Sequence, residues 1–267
     1  MIVFDQITKK FPTGETVLED IDFHIKPSEL VVITGPSGSG KTTLLRLIYK
    51  DLEPTKGSIK IDDKEISRLS KKSIPAFRRR IGYAFQDFKI IPDRTVWENI
   101  ALTLDILNLE DKAINERVTH LLEMVGLSTK GLLFPGQLSG GELQRVSIAR
   151  AIAHEPDILL ADEPTGNLDL ETSFKIADLL EQINSFGTTV ILATHDPDMI
   201  KRLKARRITL ENGRIKEDTG SQKTSKNDKK SKEKEEEKEE EEKSTKTEKH
   251  HQKKDKEQKE QKEQKEQ

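Results

Sequence analysis

Residues 35–42 have the sequence Gly35-Pro36-Ser37-Gly38-Ser39-Gly40-Lys41-Thr42. An apolar run, residues 30–33, comes before this stretch, and apolar residues recur at helical spacing in residues 44–48 after it. The order of strand, loop and helix, with a Gly, four residues and then Gly-Lys-Thr, predicts a loop that binds phosphate groups. Glycines let backbone N–H groups turn inward onto phosphate oxygens, and the helix N-terminus adds partial positive charge. A flexible Gly/Ser linker is the alternative, but a linker rarely combines this spacing with both flanking elements.

The last two residues of the loop carry chemistry of their own. The Lys41 ammonium can reach the β- and γ-phosphates of a nucleoside triphosphate, and the Thr42 hydroxyl can ligate Mg²⁺. The sequence therefore predicts that a nucleoside triphosphate and Mg²⁺ bind here together.

The overall composition excludes several classes of protein. The chain has 267 residues, a formal net charge of −2 and no cysteine, so a disulfide scaffold, a thiolate zinc site and a thiol nucleophile are excluded. No apolar run is long enough to cross a bilayer, and residues 1–10 lack the apolar core of a signal peptide. We therefore expect a soluble, cytoplasmic protein whose membrane role would require a partner. The near-neutral charge gives no indication of nucleic-acid binding.

The composition changes abruptly near Gly220. Residues 221–267 contain no apolar or aromatic residue and are mostly Lys, Glu and Gln, so they cannot form a core. We predict a charged tail over residues 219–267. It is either disordered or a solvated helix stabilised by Glu/Lys pairs at i,i+4.

Residues 2–25 alternate apolar and polar side chains around a turn at residues 12–14, which predicts two antiparallel strands. Phe11 lies in a polar stretch just before this turn. Its ring can stack on an adenine base, since stacking requires only a π-face. Alternatively, Phe11 only covers the hairpin.

Two polar side chains directly follow predicted strands. Gln86 follows residues 81–85, and His195 follows residues 189–194. Ligands of open α/β sheets bind at the carboxyl ends of strands, so both side chains can face a ligand. A neutral imidazole at position 195 could hydrogen-bond a γ-phosphate or the water near it. Each residue alone could equally have a purely structural role.

Two acidic residues follow another strand. Residues 158–161 are the apolar run typical of a strand buried on both faces, and Asp162 and Glu163 come next. In a chain with a phosphate-binding loop, we expect the two acidic residues to have different roles. Asp162 would hold Mg²⁺ through its water shell, and Glu163 would orient and deprotonate the attacking water. A solvent-exposed acidic pair is the alternative.

A second candidate anion site lies in residues 138–145, Leu-Ser-Gly-Gly-Glu-Leu-Gln-Arg. Ser139 is a suitable N-cap, and Gly140 and Gly141 expose backbone N–H groups beside it. An ordinary helix start is the alternative. The helix would carry four apolar residues on one face: Leu143, Val146, Ala149 and Ile152.

The remaining segments complete an α/β pattern. An apolar stripe over residues 114–125 predicts a core helix that ends at Gly126. A turn-rich loop over residues 165–169 leads to a predicted helix with Phe174, Ala177, Leu180 and Ile183. Near the end of the body, Asn212-Gly213 between short alternating segments predicts a hairpin.

Taken together, these stretches resemble the ATP-binding cassette (ABC) ATPases along residues 1–218, in motif order as well as in spacing. The resemblance implies an α/β fold of the P-loop NTPase class: an ABC-type nucleotide-binding domain with a mixed central sheet, an antiparallel β subdomain and an α-helical subdomain at about residues 87–155. The matching motifs are the Walker A motif (35–42), the Q-loop (Gln86), the signature (138–144), the Walker B motif (158–163), the D-loop (167–169) and the switch histidine (His195).

The resemblance also assigns roles to individual residues. Catalysis would use Glu163, His195 and Gln86, and Mg²⁺ would be held by Thr42, Gln86 and Asp162. The signature residues Ser139, Gly140, Gly141 and Glu142 would contact the ATP of a second subunit, and Asp169 would belong to the D-loop. The ATP-binding residues would be Phe11, Gly35, Pro36, Ser37, Gly38, Ser39, Gly40, Lys41, Thr42 and Thr43.

The partners that the resemblance implies are a second copy of the chain and an integral membrane, permease-like subunit. The cassette would lie peripherally on the cytoplasmic side of the bacterial inner membrane, and no nucleic acid is expected. Residues 137–142 and 161–169 look like the branch of macrolide exporters, lipoprotein releasers and cell-division cassettes. Residues 85–88 and 93–99 look most like the cell-division cassettes. The charged tail departs from that pattern, and its role stays unexplained.

Three other functions remain open on the sequence. The cassette could energise a macrolide exporter or a lipoprotein-releasing transporter, or it could bind ATP as a structural clamp. Soluble ABC proteins that act on DNA or ribosomes usually carry two cassettes, a coiled-coil insertion or zinc cysteines, and this sequence has none of them.

Overall fold

Strand β3 (Leu30–Thr34), which leads into the phosphate-binding loop, lies inside a six-stranded sheet of the computed structural model. The structure describes residues 1–166 and 168–220. The other strands of this sheet are β6 (Ile81–Ala84), β7 (Ile158–Asp162), β8 (Thr189–Ala193), β9 (Arg206–Glu211) and β10 (Arg214–Asp218). Their order is β10-β9-β3-β8-β7-β6, and every neighbouring pair is parallel except β9 with β10. The sheet is therefore mixed, with the carboxyl ends of β3, β7 and β8 at one edge.

A second sheet of four strands is antiparallel throughout, in the order β2-β1-β4-β5. Its strands are β1 (Ile2–Lys10), β2 (Thr16–Ile25), β4 (Lys56–Ile61) and β5 (Lys64–Glu65). The hairpin of β1 and β2 confirms the antiparallel pair predicted for residues 2–25.

Seven α-helices connect the strands within the described residues. They are α1 (Lys41–Ile48), α2 (Ile74–Arg78), α3 (Val96–Asp105), α4 (Asp111–Met124), α5 (Gly140–Ile152), α6 (Leu170–Ser185) and α7 (Pro197–Arg202). The apolar stripe of residues 114–125 is buried as predicted, and Gly126 follows α4 with a φ of 67°. At the end of the body, the predicted hairpin joins β9 to β10 through Asn212 and Gly213, both at positive φ.

The large sheet separates two hydrophobic cores. In β3, Val31 and Ile33 contribute to one core and Val32 to the other. The other parallel strands alternate in the same way, because successive side chains of a strand point to opposite faces. One core contains the antiparallel sheet and α1, and the other contains side chains of α3 to α6. This double burial explains why the strand sequences are continuous apolar runs.

Helix α5 differs from the amphipathic helix that was predicted. Leu143 is only half-buried, while Gln144, Ser147 and Ile148, which lie off the predicted face, are buried. The reason is that α5 packs against strand β6 and against helices α3, α4 and α6 at once. In α6, similarly, Phe174 is half-buried.

The architecture confirms the predicted fold class, with its mixed central sheet and antiparallel subdomain. The prediction for the charged tail lies outside the described residues, and the proposed domain boundaries stay predictions. Among residues 1–166 and 168–220, no helix is both long enough and apolar enough to span a membrane.

The backbones of β6 and α5 approach closely at Gly82, which leads to a prediction about stability. A Cβ atom on Gly82 of β6 would lie 2.2 Å from the carbonyl oxygen of Ala151, on the helix packed above it. We expect Gly82→Ala to lower the free energy of unfolding by about 1–3 kcal/mol, because backbone must move to make room. Gly136→Ala is the control, since a Cβ atom there would have no atom within 4 Å. Equal denaturant midpoints for the two variants would contradict this packing.

Candidate functional site

The phosphate-binding loop requires glycine at two positions for steric reasons. Gly35 has a φ of 148°, and a Cβ atom there would lie 2.2 Å from the Leu210 carbonyl oxygen. Gly40 has a φ of 102°, and a Cβ atom there would lie 2.5 Å from the Leu18 side chain. Both conformations favour glycine. The loop is thus held tightly against β9 and β2 where helix α1 begins.

The Lys41 side chain folds back over this loop. Its ammonium donates hydrogen bonds to the carbonyl oxygens of Gly35 (2.9 Å) and Pro36 (3.2 Å) and lies 3.4 Å from Glu163 Oε1. The side chain is only 6% exposed. Inside the same loop, the hydroxyl of Ser39 is buried and has no hydrogen-bond partner among the described residues. A cation and an unpaired hydroxyl in a nest of backbone amides form a site suited to phosphate oxygens.

The Asp162 carboxylate lies at the end of β7 and is 4% exposed. The Thr42 hydroxyl donates to its Oδ1 at 3.0 Å, and the Tyr83 hydroxyl donates to its Oδ2 at 3.4 Å. Burial raises the pKa of Asp162 above its usual range, and the charge of Glu163 adds to this rise, while the Thr42 hydrogen bond opposes it. The arrangement presents hard oxygen ligands next to the phosphate-binding loop.

Glu163 directly follows β7 and is held by residues at the end of β8. Its backbone N–H donates to the Ala193 carbonyl at 2.8 Å, and its φ of 45° is uncommon for a residue with a Cβ atom. Its Oε1 lies 2.8 Å from His195 Nδ1, and the His195 backbone N–H donates to Oε2 at 3.3 Å. The carboxylate is therefore held between Lys41 and His195, as expected for residues at the carboxyl ends of neighbouring strands.

Sequence reasoning missed two residues that support this arrangement. Asp196 caps α7, and its Oδ2 accepts a hydrogen bond from the Thr165 hydroxyl at 3.1 Å. This bond ties the loop after β7 to the loop after β8. Tyr83 was missed too, although a tyrosine in the short apolar run of residues 81–85 was a visible signal.

The signature segment begins α5 with a reciprocal cap. Ser139 Oγ accepts from the Glu142 N–H at 3.3 Å, and Glu142 Oε2 accepts from the Ser139 N–H at 3.0 Å. Lys130 forms an ion pair with Glu142, and this hydrogen bond, with that of Ser139, lowers the pKa of the Glu142 carboxyl. The predicted cap is thus confirmed, and the first N–H groups of α5 are fixed in place.

The signature lies against the start of α6. A Cβ atom on Gly141 would be 2.3 Å from Thr172 Cγ2. Asp169 caps α6 by accepting from the Thr172 N–H (2.9 Å) and hydroxyl (2.7 Å), which lowers the pKa of Asp169. Within the part of the chain that the structure describes, no hydrogen bond or ion pair joins residues 139–142 to the loop at residues 35–42.

The structure does not bring every predicted site residue into this cluster. Gln86 is exposed just beyond β6 and makes no hydrogen bond to Thr42 or Asp162. Phe11 is half-buried, and the Lys9 ammonium lies 5.3 Å from the centre of its ring. Thr43 is half-buried in the first turn of α1. The roles predicted for these three residues stay predictions.

The fold and the site define a class of protein that comparison with known families identifies. The family model described as ABC transporter matches residues 18–166. The chain belongs to the ABC transporter family, as an ABC-type ATPase that binds ATP. The resemblance on which the motifs were assigned is therefore confirmed.

Curated relatives are cell-division proteins. The chain is 46% identical to the cell division ATP-binding protein FtsE of Bacillus subtilis over 218 residues, which is 82% of this chain and 96% of that protein. It is 44% identical to FtsE of Escherichia coli K12 over 222 residues, which is 83% of this chain and 100% of that protein. Each match therefore spans about four-fifths of this chain and nearly all of the relative.

Solved structures share the fold. The dimeric structure of MJ0796, a bacterial ABC transporter cassette, matches with a TM-score of 0.75 and 38% identity, and covers 82% of this chain and 97% of that one. A dimer of the same cassette in a post-hydrolysis state, bound to ADP and Pi, gives the same TM-score at 37% identity.

Proposed function

We propose that this cassette hydrolyses Mg-ATP as a homodimer and drives an integral membrane subunit of the FtsX kind in bacterial cell division, where the pair regulates cell-wall hydrolysis. The observation that carries the proposal is the contact of Glu163 with both Lys41 and His195, beside Asp162. The names of the relatives, FtsE, support the cell-division role.

The residues around Asp162 fit a magnesium ion. Mg²⁺ is usually bound by one or two protein oxygen ligands together with substrate phosphates. The Thr42 hydroxyl and the Asp162 carboxylate are such ligands, and they lie 3.0 Å apart beside the loop. In residues 1–166 and 168–220, no group of three or more His, Asp or Glu side chains is arranged to hold a metal ion. When bound, Mg²⁺ would neutralise charge on the phosphate oxygens and hold them in place.

Four of the chain's own residues then act on the bound nucleotide and the attacking water. The Lys41 ammonium exchanges its loop carbonyl partners for the β- and γ-phosphate oxygens, which form stronger, charge-assisted hydrogen bonds. Glu163, released from Lys41, accepts the proton of the attacking water. His195 orients the Glu163 carboxylate, and its exposed ring can also reach the γ-phosphate. The Ser39 hydroxyl, which has no hydrogen-bond partner among the described residues, would donate to a phosphate oxygen.

Dimerisation follows from where the second anion site lies. The first backbone N–H groups of α5, next to Ser139, lie beside Asp169 and α6. They do not lie beside the phosphate-binding loop of the same subunit. A second copy placed head to tail would bring each signature to the partner's ATP. The solvent-exposed Leu170, next to Asp169, would be covered by such a contact. The dimeric structures of MJ0796 support this arrangement.

A groove of about 500 Å³ is the candidate contact for the membrane subunit. Its apolar lining includes Phe85 and Ile106, which directly follows α3 and is exposed. Its charged lining is entirely basic: Arg78, Arg79, Lys89 and Arg150. Arg150 donates to the carbonyls of Phe88 and Lys89 rather than to a carboxylate. The groove therefore suits an amphipathic segment of the membrane subunit that carries acidic side chains.

Purification of the tagged full chain from solubilised membranes tests the proposal. A co-purifying FtsX-like subunit would support the cell-division role. A permease with a large periplasmic domain would instead support the alternative, which is the energising subunit of a macrolide-exporter or lipoprotein-releasing transporter. Recovery with ribosomes or DNA would contradict both.

Charge reversal at Arg79 tests the groove. Arg79 is exposed at the rim and forms no ion pair with another described residue. We expect Arg79→Glu to weaken binding of the membrane subunit by about tenfold, since opposing an acidic segment with a like charge costs at least 1.4 kcal/mol. Lys71→Glu is the control, because Lys71 is exposed and does not line the groove. Equal recovery of the membrane subunit by both variants would argue against this docking surface.

A further inference from the structure

Tyr83 contacts the Asp162 carboxylate and also lines the groove. It is the third residue of β6 and lies opposite Leu160 of β7 in the parallel register. The side chain is only 7% exposed, yet it forms part of the groove wall. Its hydroxyl donates to Asp162 Oδ2 at 3.4 Å.

On the site side, Tyr83 holds one of the two Asp162 oxygens. Thr42 donates to Oδ1, and Tyr83 donates to Oδ2. A tyrosine phenol is a hydrogen-bond donor at neutral pH, so the Tyr83 hydroxyl donates and the Asp162 carboxylate accepts. The orientation of the Asp162 carboxylate therefore depends on Thr42, in helix α1, and on Tyr83, in the wall of the groove.

On the groove side, Tyr83 is packed by other aromatic rings. The Phe85 ring stacks on it at 4.1 Å between centroids with an interplanar angle of 14°, and the Tyr49 ring meets it edge-on at 5.2 Å. Both of these rings also line the groove. Phe85 directly precedes Gln86, so the stack also reaches the start of the Q-loop.

We propose that Tyr83 is a positioning residue that orients the Asp162 carboxylate through Oδ2 and transmits the packing of the groove to it. The proposal rests on the proposed function, since it takes Asp162 as the magnesium-site carboxylate and the groove as the partner's contact. The Tyr83 hydroxyl lies 3.4 Å from Oδ2, beyond the 2.7–2.8 Å typical of O–H···O bonds. A ring shift of a few tenths of an ångström would therefore strengthen or break this bond.

Tyr83→Phe removes the hydroxyl and keeps the ring stack. The measurement is the dissociation constant of a fluorescent ATP analogue, taken with Mg²⁺ and again with EDTA. We expect binding with Mg²⁺ to weaken by about tenfold, as for other residues that orient metal ligands, while binding with EDTA stays unchanged. Tyr49→Phe is the matched control, because its hydroxyl makes no hydrogen bond to Asp162 and its ring lines the same groove.

Transmission from the groove is tested by a double-mutant cycle with Phe85→Ala, which removes the stacked ring without touching Asp162. We expect Phe85→Ala to weaken Mg²⁺-dependent binding in the parent chain and to have little further effect in Tyr83→Phe. Coupling of this kind is measured by the departure from additivity. Additive effects would overturn the transmission through Tyr83, even if each single variant had an effect.

Asp162→Asn separates this inference from the proposed function. If Asp162→Asn abolishes the difference between Mg²⁺ and EDTA while Tyr83→Phe behaves like Tyr49→Phe, the positioning role of Tyr83 is wrong and the magnesium site stands. If Asp162→Asn leaves that difference intact, the magnesium site itself is wrong, and Tyr83 loses its role with it. Unchanged binding in EDTA shows in each case that the folded nucleotide site has survived the substitution.

Discussion

Glu163→Gln is expected to lower ATP turnover by about 10²–10⁴-fold, which is the usual loss when a general base is removed. In energy this is about 3–5 kcal/mol of transition-state stabilisation. The glutamine has the same shape, and its amide oxygen can still face Lys41, whose ammonium lies 3.4 Å from Glu163 Oε1. It cannot accept a proton from water. ATP binding should therefore persist while hydrolysis stops.

The same variant is expected to accumulate as an ATP-bound dimer. If bound ATP joins the loop of one subunit to the signature of the other, the contact weakens only after hydrolysis. Size-exclusion chromatography with light scattering, in Mg-ATP and in Mg-ADP, measures this difference. The control is Glu171→Gln, which alters an exposed carboxylate that pairs with Lys175 on α6. Turnover of Glu163→Gln at the parent rate would reject the base, and a monomer in saturating Mg-ATP would reject the dimer mechanism.

Local sequence patterns were sufficient for the parts of the fold that depend on neighbouring residues. The loop at residues 35–42 and the cap at Ser139 were predictable because each involves only a few consecutive residues. The strand positions followed from the apolar runs, since burial on both faces requires them.

Other features depend on residues that are distant in the sequence. The contact of Glu163 with His195 requires β7 and β8 to be parallel neighbours in the register that pairs Asp162 with Ala193. Similarly, the hydrogen bond of Tyr83 to Asp162 spans 79 positions of the chain. No local pattern specifies strand order, so the sequence predicted the candidate residues but not which of them would touch. The burial of α5 on several sides was missed for the same reason.

Lys41→Ala is expected to weaken ATP binding by about 10²-fold or more. The ammonium would form charge-assisted hydrogen bonds with two phosphates, and such bonds contribute about 1.5–3 kcal/mol each. The carbonyls of Gly35 and Pro36, which now accept from Lys41, would face the phosphates without an intervening cation. Equilibrium titration with a fluorescent ATP analogue measures the affinity, and thermal unfolding checks that the variant is folded.

Lys50→Ala is the matched control for Lys41→Ala. Lys50 is also a buried lysine, but its ammonium pairs with Glu53 and donates to the Ser67 carbonyl, away from the loop. Both substitutions remove a buried ammonium and leave carbonyl and carboxylate partners behind. A loss of affinity confined to Lys41→Ala must therefore come from the phosphate contacts rather than from general destabilisation. Equal affinities for the two variants would mean that the Lys41 ammonium does not bind the phosphates.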